Sequence, residues 1–127
     1  MCIRDRHILD KLDDVRLKGQ EAVEICSKAG VKLGFGTDLL GEMHSLQLEE
    51  LMMRGEVQTP YEVLKSATSI NAEIVQQSEN IGCIKTGAFA DLLIIEGNPL
   101  EDLSLLYCAD NAISGIMKNG NWVQRPS

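Results

Sequence analysis

Histidine is scarce in this chain: His7 and His44 are the only two, and they stand far apart. The cysteines Cys2, Cys26, Cys83 and Cys108 are equally scattered, with no Cys-x-x-Cys spacing to bring two thiolates to one zinc. Long apolar runs are missing too. None reaches the roughly 18 residues that span a bilayer, and the N-terminus has no signal-peptide core. Cations are outnumbered 12 to 19 by acidic residues, and the net charge of −7 repels both nucleic acid and anionic membrane. A reducing cytoplasm is the expected compartment, with Cys26 and Cys83, in apolar contexts, serving as small core residues.

What remains is a chain of 127 residues, 44% hydrophobic, enough for one ordinary domain. It is too short for a closed eight-stranded α/β barrel, which takes roughly 250 residues. Ile8, Leu12, Val15, Ala22, Cys26 and Ala29 recur at helical spacing, and Gly30 supplies a left-handed residue to end that helix. Val31, Leu33 and Phe35 then alternate as a short strand, with Gly34 and Gly36 leaving room for close approach. Leu48, Leu51 and Met52 mark a second helix that stops at Gly55. Thr59, Pro60 and Glu62 spell a capping box with proline at the first helical position, so a third helix begins near Pro60 with Val63, Leu64 and Ala67 inward. Ser69 and Asn71 interrupt it, and Ala72, Ile74 and Val75 suggest one more short helix.

Beyond Gln77 the texture becomes that of strands. Ile81 to Ile84, Leu92 to Ile95, Ile113 to Met117 and Trp122 to Val123 are short apolar runs separated by turn residues, and Asn98-Pro99 closes the run expected to be most buried. Asn119-Gly120 signals a two-residue hairpin, beside which Trp122 packs.

The stretch VKLGFGTDLLGEMH, from Val31 to His44, is the most informative. Asp38 ends an alternating run where a strand hands over to a loop, the edge at which α/β enzymes collect their chemistry. His44 follows in that loop and is a candidate for substrate contact or an ordinary first-turn residue, while His7 reads as solvated. Glu42, Glu49 and Glu50 read as a solvated face, and Met43, Met52 and Met53 as packing.

Three segments, in order, resemble the amidohydrolase superfamily of metal-dependent (β/α)8 barrel hydrolases. GVKLGFGTDLLGEMH is similar to its eighth barrel strand, whose terminal aspartate matches Asp38. TPYEVLKSATSINAEIV resembles the helical segment that follows, with Thr59, Pro60, Ala67, Thr68, Asn71 and Ala72 in place; Val75-Gln76 departs from the Leu-Gly often found there. GCIKTGAFADLLIIEGNPLEDL resembles the return into a small β-sandwich, through Gly87, Ala90, Asp91, Asn98 and Pro99. The GTDLLGEMH loop and the helix before the strand look most like the imidazolonepropionase-related group, which includes Xaa-Pro and similar dipeptidases.

The resemblance implies an α/β fold: the C-terminal end of a (β/α)8 TIM barrel in residues 1–77 and part of a small β-sandwich in residues 78–127. It implies hydrolysis of a C–N bond in a small amide or dipeptide by a metal-activated water, with Asp38 as metal ligand and proton shuttle and Thr37 supporting it from behind. The divalent metal is zinc by family default. A deaminase or cyclic-amide hydrolase of the same superfamily remains an alternative, as does a non-catalytic structural or binding module.

The resemblance also implies ligands this chain does not contain: a His-x-His pair on the first strand, a lysine or glutamate on the fourth, histidines on the fifth and sixth. No metal is therefore expected on this chain alone. The opening MCIRDR resembles a translated sequencing adapter of the kind found at the ends of fragmentary reading frames, so the natural protein is expected to extend upstream.

Overall fold

A computed structural model describes residues 17–107 and 112–126. The expectations placed on Cys2, His7, Cys108 and the first turns of the N-terminal helix lie outside the described residues. Helix α1 covers 17–28 of them and ends as Gly30 requires: Gly30 sits at φ 71°, its N–H donates to Ser27 O at 3.0 Å, and Val31 N–H donates to Cys26 O at 3.0 Å. This is the paired bonding of a left-handed helix terminus. The inward face differs from the expected one. Gln20, Val23, Glu24, Cys26 and Ser27 are half-buried, whereas Ala22 and Ala29 are exposed. Polar bridges turn the helix: Gln20 reaches Met53 O and the Glu56 carboxylate, and Ser27 donates to Glu62 Oε1 at 3.4 Å.

A 3-10 turn over Gly41–Leu46 leads into α2, Glu49–Gly55. Of the expected inward set Leu48, Leu51 and Met52, only Leu51 is buried; one turn on, Arg54 shares its face. The helix ends at Gly55, where a Cβ would meet Leu103 Cδ1 at 3.2 Å. Glu42 and Glu49 lie in solvent as expected, but Glu50 is half-buried against Arg54.

Helix α3, Pro60–Lys65, starts on the expected capping box: Glu62 N–H donates to Thr59 Oγ1 at 3.3 Å, and Thr59 N–H donates to Glu62 Oε2 at 2.8 Å. Ser69 and Asn71 do not interrupt the rod. It continues through a π turn, Ser66–Ile70, into α4, Asn71–Ile74. The segment SATS supplies the cause, because Ser66, Thr68 and Ser69 hydroxyls donate back to the carbonyls of Val63, Leu64 and Lys65 and compete with the α-helical ladder.

Two expected strands are absent from the described residues. Residues 81–84 form bends, because Gly82 lies against the rod so closely that a Cβ would fall 2.6 Å from Thr68 O. Residues 31–40 have no regular structure, although the inward side chains Leu33, Phe35, Thr37 and Leu39 alternate with period two. The pattern of a strand is present without a ladder, since no described strand lies alongside it.

The remaining strands match expectation. β1 (Leu92–Ile95), β2 (Ile113–Lys118) and β3 (Asn121–Gln124) form an antiparallel sheet in that order, β2 and β3 joined at Asn119 (φ 49°) and Gly120 (φ 77°). Those signs of φ are what a two-residue hairpin matching the sheet twist needs. Trp122 lies across Gly115. β1 is less buried than expected, with Leu93 and Ile94 exposed.

The core joins the helices to the segment after β1. Leu51, Val63 and Leu103 are its buried members, with Phe35, Leu64, Leu106 and Tyr107 packed against them. Leu103 arrives on a 3-10 turn, Leu103–Leu106, whose first turn is capped by Asp102 accepting Ser104 N–H at 2.9 Å.

Candidate active site

The segment leading to Asp38 is held by side chains where a sheet would use backbone. Asn71 Oδ1 accepts Phe35 N–H at 2.9 Å, and Asn71 Nδ2 donates to Phe35 O at 2.7 Å. The amide therefore occupies both hydrogen-bonding groups of Phe35. One residue earlier, Arg54 Nη1 donates to Gly34 O at 2.7 Å, and its guanidinium lies 5.5 Å from the centre of the Phe35 ring. Gly34 permits this: a Cβ there would fall 2.7 Å from Asn71 Oδ1.

Arg54 is buried to 6% exposure and is itself supported, by Gln58 Oε1 at 2.8 Å and Glu50 Oε1 at 3.5 Å. A carboxylate and two acceptors meet the buried cation, while its Nη2 has no hydrogen-bond partner among the described residues.

The segment releases into Asp38 at φ 52°, one of three non-glycine residues with positive φ among those described. Aspartate, like asparagine, adopts that conformation more readily than most side chains, at a cost of order 1 kcal/mol. Asp38 is exposed, between the half-buried Thr37 and Leu39. Thr37 Oγ1 accepts Leu39 N–H at 3.4 Å, bridging the chain across the aspartate. Beneath this turn Thr37, Leu39, Met43, Leu46, Glu49, Glu50 and Met53 line a cavity of about 220 Å³.

His44 sits exposed on the 3-10 turn, where Gln47 Nε2 lies 3.2 Å from each ring nitrogen. No cluster of three or more His, Cys, Asp or Glu residues able to hold a metal occurs among the described residues. A catalytic metal takes about three protein ligands. Asp38 fits as one hard oxygen donor and does not constitute a site. Cys26 and Cys83 are free and half-buried.

Two residues of this region carry weight that sequence reading did not give them. Arg54 is the lone cation in EELMMRG, and an arginine on an otherwise apolar helix face was its available signal. Asn71 reads in the sequence only as a helix interruption and as a match to the superfamily pattern.

Residues 3–123 match the model of the amidohydrolase family, and the chain belongs to that family. It carries the last-strand region and following helices of the (β/α)8 amidohydrolase barrel together with part of the small β unit. Within the family it is similar to a prolidase solved in complex with N-methylphosphonate-L-proline: 44% identity, TM-score 0.82, covering 91% of this chain and 28% of that one. It is 33% identical over 121 residues to ochratoxinase from Aspergillus niger, covering 93% of this chain and 24% of that protein. A 5-methylthioadenosine/S-adenosylhomocysteine deaminase from Caldicellulosiruptor saccharolyticus is 37% identical over 105 residues, covering 74% of this chain and 23% of that protein. The chain thus spans about a quarter of the length of these relatives.

Proposed function

We propose that this chain is the C-terminal part of a metal-dependent amidohydrolase that cleaves a C–N bond of a small amide or dipeptide with water. Asp38 contributes one carboxylate to a divalent metal, zinc by family default, whose other ligands come from residues outside this segment. When bound, such a metal lowers the pKa of an attacking water to about 7. Asp38 accepts the proton of that water and returns it to the departing nitrogen. The observation that carries this reading is the left-handed Asp38, exposed at the end of an anchored, alternating segment in a chain of this family.

The division implied by the resemblance, a barrel part in residues 1–77 with 1–6 as translated adapter and a small β part in 78–127, belongs to this reading. Thr37 steadies the turn around Asp38, and His44 lines the approach for substrate. A reducing cytoplasm is the compartment that suits the free thiols of Cys26 and Cys83. The kinship to a prolidase favours a dipeptide, and that to a deaminase supports a second reading in which the same carboxylate serves removal of an amino group from a ring.

The test is Asp38→Asn in the full-length protein, assayed against a proline dipeptide, an N-acyl amide and an aminopurine nucleoside. Activity on whichever substrate the parent turns over falls by about 10²–10⁴-fold, the range for loss of a positioned proton-transfer group. Undiminished kcat in a protein of unchanged metal content overturns the assignment.

A further inference from the structure

We infer that Asn71 is a positioning residue for Asp38, and that the π turn before it exists to aim it. The inference rests on the proposed role of Asp38. Its geometry is independent of that role. Val63, Ser66 and Ala72 are the buried positions of the rod, at 0%, 1% and 1% exposure. In an unbroken α-helix, at about 100° per residue, Asn71 would stand roughly 80° away from Val63, in the direction Ala72 now takes rather than toward the Val63 side where Phe35 packs. One extra residue in the π turn rotates everything after it back by about 100°, which brings Asn71 to within about 20° of the Val63 direction. There its amide meets both backbone groups of Phe35, at 2.9 and 2.7 Å.

The consequence reaches Asp38 through three peptide units. Gly34 and Phe35 are fixed from below by Arg54 and Asn71, and the chain then turns into the left-handed conformation at Asp38. A strand neighbour can fix a segment in register, but it contacts one edge only. The Asn71 amide arrives from the helical layer and sets how far the segment stands from it. Side-chain amides that satisfy both groups of one residue are exacting about distance, because both bonds fail together when the separation grows. A displacement of about 1 Å at a reacting group lowers turnover by on the order of 10²-fold.

The experiment uses the full-length protein and compares Asn71→Ala, Asn71→Asp and Asp38→Asn with the parent. Asn71→Ala is expected to speed hydrogen exchange at the Phe35 amide and to lower kcat by on the order of 10²-fold with KM within about twofold. Asn71→Asp keeps an acceptor for Phe35 N–H and loses the donor to Phe35 O, so it falls between. Should Asn71→Ala fail to fold, Asn71→Asp is read by the same two measurements. Unchanged Phe35 exchange, faster exchange with kcat intact, or an effect confined to KM each overturns the positioning role. Loss of activity in Asp38→Asn with full activity in Asn71→Ala overturns this inference alone, whereas full activity in Asp38→Asn removes the reading on which it rests.

Discussion

Thr59 and Glu62 hold each other across the first turn of α3, and the exchange has a titration consequence. The Thr59 backbone N–H, then its hydroxyl, hold the Glu62 carboxyl below its ordinary value. A carboxylate whose folded pKa is depressed stabilises the fold fully above its unfolded pKa and loses that contribution as pH falls through the lowered folded value. Glu62→Ala in the full-length protein is therefore expected to cost on the order of 1 kcal/mol at neutral pH. In denaturant melts that gap should close on acidification through this window; a gap independent of pH would assign the loss to packing instead. The box was legible in the sequence because Thr59, Pro60 and Glu62 lie within one turn of each other. Asp38 was legible for a similar reason, as the break in a local alternation. Arg54 and Asn71 were not, since their acceptors on Gly34 and Phe35 are 20 and 36 residues distant and no local pattern records such a pairing.

Among the elements, the turn of the β2–β3 hairpin is clasped to the residues just before β1 in addition to the β1–β2 ladder. Asp91 accepts Asn119 N–H at 2.6 Å and pairs with Lys118, while Gly120 N–H donates to Ala90 O at 3.0 Å. Lys118, and then the Asn119 amide, draw the Asp91 pKa downward. The clasp is complete above the unfolded carboxylate pKa and opens as pH falls through the lowered folded value. The Asn119 amide proton should therefore shift in an acid titration with a midpoint below the ordinary aspartate range, and Asp91→Ala should abolish that step. A midpoint at the ordinary value would leave the hairpin unclasped in solution. The Asn119-Gly120 turn itself could be read directly from the dipeptide. The ladder missing at residues 31–40 could not, because alternation records which side faces inward and says nothing of whether a neighbouring strand is there to pair. The π turn is hidden for another reason: Ser69 and Asn71 read as an interruption of the helix, yet the hydroxyls of Ser66, Thr68 and Ser69 find acceptors within the rod.

For the molecule as a whole, large apolar side chains stand in solvent among the described residues. Leu40 and Ile84 stand 80% and 89% exposed, and Leu93, Ile94 and Val123 open further apolar surface on the sheet. Apolar area on this scale drives association. The 127-residue chain expressed by itself is accordingly expected to elute as concentration-dependent oligomers and to carry no stoichiometric metal; a sharp, cooperative monomeric melt with bound zinc and turnover would contradict this. The small core has a further implication. Leu103 enters it from beyond β1 and touches the same cluster as Phe35, which is bonded to Asn71 three residues before Asp38. Damage at Leu103 would thus travel to the aspartate through packed side chains. A screen scored only on loss of function would therefore recover Leu103 beside the residues around Asp38, and only a melting curve would mark the Leu103 fault as one of assembly.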